Sequence, residues 1–187
     1  SALKLSQGSV LDLGCGAGSH SIYLQSQGFE VYPVDISQGA IEACQKQGLI
    51  NARVLDFWQL KEGCFDTILL LMNGAGICGT IDEVPKMLNL LKSLLAPQGQ
   101  IFLDSSDIIY MFEDENGDRL FVNVGGFVLE VTFNMKYKDE KSGPFPWLYL
   151  DFQNLKLQAE NLNLNCECLV KGEHYDYLAR ITHKSKR

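Results

Sequence analysis

A short stretch near the start of the chain constrains its fold more than any other feature. Residues 10–19 read Val-Leu-Asp-Leu-Gly-Cys-Gly-Ala-Gly-Ser, an apolar run that passes through an acid into three alternating glycines. Glycine adopts positive φ angles that a Cβ disfavours, and it lets a ligand lie directly against the main chain. A helix is predicted to follow at once, and the free N–H groups of its first turn point at the same place. The sequence therefore predicts a strand–loop–helix unit that cradles a nucleotide-like ligand.

The spacing of the glycines indicates which kind of ligand this is. A dinucleotide fingerprint has the form Gly-x-Gly-x-x-Gly, whereas Gly14, Gly16 and Gly18 are two residues apart and Ser19 stands where the third glycine would be. Asp12 precedes the first glycine by two residues, and its carboxylate favours a cationic ligand over a pyrophosphate. The pattern Asp-x-Gly-x-Gly-x-Gly resembles motif I of the class I S-adenosyl-methionine-dependent methyltransferases. Their cofactor carries an ammonium and a sulfonium and no phosphate.

Size and composition exclude several classes of protein. With 187 residues, 46% of them hydrophobic, and a net charge of −7, the chain suits one globular domain without a broad nucleic-acid surface. We find no apolar run of membrane-spanning length and no signal peptide, so we predict a cytoplasmic protein without a membrane partner. The six cysteines lack the spacing of a metal site, and we predict reduced thiols and no bound metal.

Strand-like and helix-like segments alternate through the first half of the chain. Ser37 and Asp82 are predicted to cap two of the helices, and such alternation predicts a doubly wound α/β sheet. The predicted strands occupy residues 9–14, 29–35, 52–55, 65–72 and 101–104.

The alternation ends after the fifth strand, and we predict residues 106–147 to be an insertion on the substrate side of a single domain, 1–187. Apolar and polar residues alternate over 129–137, and Gly125-Gly126 precede them, which predicts a β-hairpin. A polar loop is predicted over residues 138–146.

Asp151 is predicted to cap a further helix, and two antiparallel strands, 164–171 and 174–182, end the chain. The resemblance implies five parallel strands that finish in an antiparallel pair. We therefore expect an α/β fold with a mostly parallel seven-stranded sheet, an antiparallel final strand and a hairpin insertion after strand five. Only eight residues precede the first predicted strand, where the resembled family usually carries a helical segment, and this indicates a shortened chain or a short natural form.

Ligands of doubly wound sheets bind at the carboxyl ends of the strands. Asp35 ends strand two, and a carboxylate there can accept hydrogen bonds from both ribose hydroxyls of either S-adenosyl-methionine or NAD. Asp56 follows strand three and can only accept, which suits the adenine amino group, and the resemblance implies that Phe57 covers the ring.

Asn73-Gly74 follow strand four, where the resemblance implies contact with the methionine part of the cofactor. The family's run for amino-nitrogen substrates, an acid or Asn followed by Pro-Pro-aromatic, is missing there, which puts that substrate class in doubt. His20 could reach the methionine carboxylate or the acceptor. The predicted cofactor-binding residues are Asp12, Gly14, Cys15, Gly16, Gly18, His20, Asp35, Ile36, Asp56, Phe57, Asn73 and Gly74.

The resemblance implies methyl transfer, and we predict a small-molecule acceptor. Tyr110, Trp147 and His174 are candidate acceptor contacts. The sulfur leaves as a neutral group, so catalysis depends on positioning, and a general base is needed only when the acceptor atom must lose a proton. No catalytic residue is therefore assigned. Two alternatives stay open, namely an NAD-type oxidoreductase and a methyltransferase-like module that binds or regulates without turnover.

Overall fold

The structure is a computed structural model, and it describes residues 1–106, 128–134, 136–137, 140–141, 143–173 and 175–184. Its strands are β1 (Val10–Leu13), β2 (Val31–Asp35), β3 (Arg53–Val54), β4 (Phe65–Leu70), β5 (Leu95–Ser106), β6 (Val128–Phe133), β7 (Lys136–Tyr137), β8 (Glu140–Lys141), β9 (Phe145–Leu150), β10 (Leu164–Lys171) and β11 (Asp176–His183). The helices are α1 (Ala2–Leu5), α2 (Ser19–Ser26), α3 (Gln38–Lys46), α4 (Val84–Leu94) and α5 (Phe152–Asn161). Short 3₁₀ turns occupy Phe57–Gln59, Gly74–Cys78 and Ile81–Glu83.

Seven of these strands form one sheet in the order β10-β11-β5-β4-β1-β2-β3. The pairs β1–β2, β1–β4, β2–β3 and β4–β5 are parallel, whereas β11 runs antiparallel to both β5 and β10. The predicted fold class is thus confirmed. The chain winds outward from β1 to β3 and then returns to β4, so the strand order reverses beside β1. Such a reversal leaves a crevice at the carboxyl ends of the strands, and the glycine loop lies there.

Two apolar layers hold four of the five described helices against the sheet. Alternate residues of a strand point to opposite faces, so Leu11 and Ile68 pack with α4 and α5 on one face. Val10 and Leu69 pack with α1 and α2 on the other. The inner strands are buried on both faces, as the near-continuous apolar run of β4 predicts.

The starts of α4 and of strand five differ from their predicted positions. Asp82 does not cap α4, because it lies inside the turn Ile81–Glu83 and the helix begins one turn later, at Val84, with no capping side chain. Strand five begins at Leu95 rather than at residue 101, because Leu95 already pairs with Phe65 of β4. A register shift between Phe65 and Thr67 accommodates it.

The insertion contains more strand than we predicted. The strand expected over residues 129–137 is present as β6 and β7, but β6 pairs antiparallel with β9. The predicted polar loop 138–146 is therefore wrong in part, since β8 and the start of β9 fall within it. Stacking of Phe133 on Phe145, with ring centroids 6.1 Å apart, supports this pairing. The other arm of the expected hairpin, before Gly125, lies outside the described residues.

Within the described part of the chain, no helix has both the length and the apolar character needed to cross a membrane.

Capping of α5 gives a stability prediction. The carboxylate of Asp151 accepts hydrogen bonds from the main-chain N–H groups of Gln153 (2.9 Å) and Asn154 (3.0 Å), and the residue is buried. We expect Asp151→Ala to lower the free energy of unfolding by about 1 kcal/mol, because both donors lose their acceptor. Urea denaturation measures this change. Asp82→Ala is the control, because Asp82 is exposed and caps nothing, and an equal loss in the two variants would contradict the assignment.

Candidate functional site

The glycine loop between β1 and α2 has the backbone shape that its sequence predicts. Gly14, Gly16 and Gly18 have φ angles of 68°, 54° and 84°, all in the left-handed region that a Cβ disfavours. The N–H of Gly14 donates to the carbonyl of Val34 at 2.9 Å, which ties the start of the loop to β2. A Cβ on Gly18 would lie 2.5 Å from Leu49 Cδ1, so glycine is required for packing there as well.

Asp35 fixes the middle of the glycine loop. Its Oδ2 accepts a hydrogen bond from the N–H of Gly16 at 2.9 Å, and its Oδ1 accepts one from the N–H of Ser37 at 2.8 Å. The carboxylate is therefore held at the end of β2, beside the loop, and is partly exposed. The next residue, Ile36, has 75% of its surface exposed and adds an apolar patch at the same edge.

Asp12 lies beneath the glycine loop and is only 2% exposed. Its Oδ2 accepts a hydrogen bond from the Ser21 hydroxyl at 2.6 Å, so β1 and α2 are joined there. Burial raises the pKa of this carboxyl, the Ser21 hydrogen bond and His20 oppose that rise, and the charge of Asp35 adds to it. A cation bound nearby would stabilise the ionised form.

Two thiols pack the glycine loop against α3. The Sγ atoms of Cys15 and Cys44 are 4.0 Å apart, and the Cys44 thiol lies 3.3 Å from the carbonyl oxygen of Gly16. Burial raises the pKa of both cysteines, so both are neutral thiols at pH 7. Cys15 thus supports the loop from within.

Asp56 and Phe57 lie beyond β3 in different surroundings. Asp56 Oδ1 caps the following 3₁₀ turn by accepting from the N–H of Trp58 at 3.0 Å, and the carboxylate is partly exposed. The Phe57 ring is 4% exposed, because it packs in the core and its centroid lies 4.3 Å from that of Trp58. The structure therefore leaves Phe57 little ring surface with which to cover adenine.

The segment after β4 is held in an unusual backbone shape. Met72 and Asn73 both have left-handed φ angles, 68° and 61°. The carboxylate of Asp104 bridges the segment by accepting from the N–H of Met72 at 3.0 Å and that of Gly74 at 2.9 Å. Burial raises the pKa of Asp104, and the main-chain donors oppose that rise. The sequence analysis missed Asp104, although it ends the predicted strand five just as Asp35 ends strand two.

A cavity of about 590 Å³ adjoins this segment. It lies between the ends of β4 and β5, the start of β11 and the first turns of α1 and α2. Two predicted cofactor residues, His20 and Asn73, line it. The other residues that line the cavity are Ser1, Ala2, Leu3, Leu71, Met72, Asp104, Ser105, Ser106, Tyr149, Val170, Asp176, Tyr177 and Leu178.

The three predicted acceptor contacts are placed differently. Trp147 packs against the 3₁₀ turn at Gly76, where its indole occupies the space that a Cβ would need, and it does not line the cavity. Tyr149, two residues further along β9, does. Tyr110 and His174 lie outside the described residues.

Comparison with known proteins agrees with this geometry. A family model described as a methyltransferase domain matches residues 10–99. A crystal structure of a SAM-dependent methyltransferase from Bacteroides fragilis, in complex with S-adenosyl-L-homocysteine, is 41% identical and superposes with a TM-score of 0.89. The match covers 98% of this chain and 76% of that one. The chain belongs to the SAM-dependent methyltransferases.

Two curated relatives match about half of this methyltransferase-family chain, at lower identity. The cypemycin N-terminal methyltransferase of a Streptomyces species is 32% identical over 102 residues. The protein described as putative methyltransferase YqeM of Bacillus subtilis is 28% identical over 104 residues. Each match spans 52% of this chain and 42% of the relative, so less than half of each relative is represented.

The loop geometry predicts unequal effects of two glycine substitutions. Gly18→Ala places a Cβ 2.5 Å from Leu49 Cδ1 and 2.8 Å from Cys44 Sγ at a φ of 84°, whereas Gly16→Ala meets nothing within 4 Å at a φ of 54°. We expect Gly16→Ala to cost about 1 kcal/mol of stability through its φ angle alone, and Gly18→Ala to cost about 1–3 kcal/mol more through overpacking. Urea denaturation measures the free energy of unfolding of both variants. Equal losses of stability would contradict the packing described for Gly18.

The buried carboxyl of Asp12 gives a pH-dependent prediction. Its pKa is raised above 3.8 in the folded protein, so the folded state binds this proton more tightly than the unfolded chain, and stability falls as the pH rises through the raised pKa. Asp12→Asn keeps an oxygen acceptor for Ser21 and removes the charge. We expect the two proteins to be equally stable below pH 3.8 and the variant to be more stable at pH 7.

Urea denaturation at several pH values measures this difference. Asp82→Asn, at an exposed acid, serves as the control and should show no such trend. A variant that is less stable than the wild type at pH 7 would contradict the account of Asp12.

Proposed function

We propose that this chain binds S-adenosyl-methionine at the glycine loop and transfers its methyl group to a small-molecule acceptor. The observation that carries the proposal is the placement of two carboxylates, Asp12 below the loop and Asp35 beside it, around main chain in the left-handed region that favours glycine. Negative charge on both sides favours a cationic ligand and disfavours a pyrophosphate. Family membership supports an S-adenosyl cofactor over the nicotinamide alternative.

The residues present fit the adenosine end of this cofactor. Each oxygen of Asp35 accepts one hydrogen bond from a main-chain N–H. Each can therefore accept another from one of the two ribose hydroxyls. Ile36 offers exposed apolar surface for the adenine ring. Asp56 Oδ1 is engaged by Trp58, and its other oxygen is the candidate acceptor for the adenine amino group.

The methionine end would lie across β1, toward β4. Asp12 supplies negative charge for the ammonium group, and the Nδ2 atom of Asn73 is a buried donor without a partner in the described part of the chain. A buried donor of this kind favours a ligand oxygen. His20 stands at the first turn of α2, on the border of the cavity.

We assign the acceptor to the cavity of about 590 Å³, which has the size of a small-molecule site and adjoins Met72 and Asn73. Tyr149 lines it from β9, a strand that begins within the predicted insertion and ends just beyond it. This supports placing the insertion on the substrate side of a single domain. When bound, S-adenosyl-methionine supplies an electrophilic methyl group on a sulfonium. The protein's part is to orient the acceptor atom and to exclude water, and no residue is assigned as a base.

Calorimetric titration with S-adenosyl-homocysteine tests the cofactor assignment. We expect saturable binding to the wild type and none of NAD⁺ at the same concentration. Asp35→Ala should weaken binding by at least tenfold, because a hydrogen bond to a charged group contributes about 1.5–3 kcal/mol. Asp82→Ala should bind as the wild type does. Binding of NAD⁺ in preference, or no binding of S-adenosyl-homocysteine at millimolar concentration, would contradict the proposal.

A further inference from the structure

We propose that Asp104 is a positioning residue that shapes residues 72–74 into the receptor for the methionine end of the cofactor. A substitution of Asp104 should therefore weaken binding of the methionine end and leave binding of the adenosine end unchanged. This inference rests on the proposed function and adds a residue that neither the glycine loop nor the sequence pattern reveals. Three features of the segment support it, namely its hydrogen bonds, its backbone shape and the orientation of the Asn73 amide.

The carboxylate of Asp104 makes one hydrogen bond on each side of Asn73. Oδ2 accepts from the N–H of Met72 at 3.0 Å, and Oδ1 accepts from the N–H of Gly74 at 2.9 Å. Each oxygen thus serves one of the two donors, which belong to alternate residues. Asp104 is 30 residues from Gly74 in sequence, so this is a tertiary constraint on the segment.

The segment needs such a constraint because its backbone is intrinsically unfavourable. Met72 and Asn73 follow each other with φ angles of 68° and 61°. Asparagine tolerates this region, but methionine does not favour it. Met72 has 79% of its surface exposed, so packing of its side chain contributes little to hold it there. The hydrogen bond from its N–H to Asp104 is the interaction that opposes relaxation to an ordinary φ.

Ser105 orients the Asn73 amide next to this clamp. Its hydroxyl donates to Asn73 Oδ1 at 2.8 Å and accepts from the N–H of Leu150 at 3.1 Å. The serine proton is thereby directed at Oδ1, which leaves Nδ2 as the free end of the amide. Nδ2 is buried and has no partner in the described part of the chain. A ligand carboxylate or other oxygen is the acceptor that would satisfy this donor.

These features divide the site into two parts, and different residues hold the main chain in each part. Asp35 holds the adenosine side through Gly16 and Ser37. Asp104 and Ser105, consecutive in β5, hold the methionine side through residues 72–74. A change at Asp104 should therefore weaken a ligand that has a methionine end and spare a ligand that lacks one.

Asp104→Asn tests this division with two ligands, S-adenosyl-homocysteine and adenosine. Asparagine keeps the shape of the side chain, but its amide has one acceptor oxygen, and its NH₂ group opposes a second N–H donor. By calorimetry we expect the variant to bind S-adenosyl-homocysteine at least tenfold more weakly and adenosine within twofold of the wild type. Asp82→Asn, an exposed acid outside the site, should change neither.

A rescue variant separates positioning from direct contact and from misfolding. Met72→Gly removes the Cβ that makes the left-handed φ unfavourable, so the segment no longer depends on Asp104 to the same degree. In the Asp104→Asn background, Met72→Gly should raise the affinity for S-adenosyl-homocysteine at least threefold. If Asp104→Asn does not fold, Ser105→Ala should still show a selective loss, since it frees the Asn73 amide.

The outcomes distinguish this inference from the proposed function. A wild type that fails to bind S-adenosyl-homocysteine would overturn both. If the wild type binds, the positioning role alone is overturned by a variant that loses nothing, by equal losses for the two ligands, or by a Met72→Gly change that recovers no affinity. A selective loss with rescue supports it.

Discussion

The hydrogen bond from the Gly16 N–H to the Asp35 carboxylate, 2.9 Å long, is the interaction on which the site depends. It joins the loop after β1 to the end of β2, and these are neighbouring strands at the point where the strand order reverses. The loop contains three glycines, all at positive φ. Because glycine is the most flexible residue in an unfolded chain, this loop loses more conformational entropy on folding than a loop of other residues would. Asp35 restricts that freedom and keeps its own carboxylate at the cofactor edge.

Acids at strand ends perform a common task on both sides of β1. Asp35 at the end of β2 and Asp104 near the end of β5 each accept hydrogen bonds from two main-chain N–H groups. Each therefore shapes a neighbouring loop as well as contributing charge. Asp12 differs, because it lies buried under the loop where desolvation raises its pKa. A cationic ligand bound at the loop would stabilise the ionised form of this buried carboxyl.

The parts of the fold that the sequence predicted depend on local patterns. The strand–helix alternation was sufficient for a doubly wound sheet. The resemblance carried by the glycine spacing around Gly16 and the acid at position 35 implied the final antiparallel strand. Tertiary contacts were not predictable in this way. Asp104 acts on a segment 30 residues earlier in the chain, and Trp147 packs on Gly76 instead of lining the cavity. Phe57 was predicted to contact the cofactor from its position beside Asp56, and most of its surface is buried in the core.

We propose that carboxylates around a glycine loop select a positively charged adenosyl cofactor, and a crystal structure of this chain with S-adenosyl-homocysteine would show whether they do. We expect the ribose hydroxyls on the two oxygens of Asp35 and the amino-acid end of the ligand against residues 72–74. An empty loop, or a ligand that places its ribose away from Asp35, would rule this binding mode out.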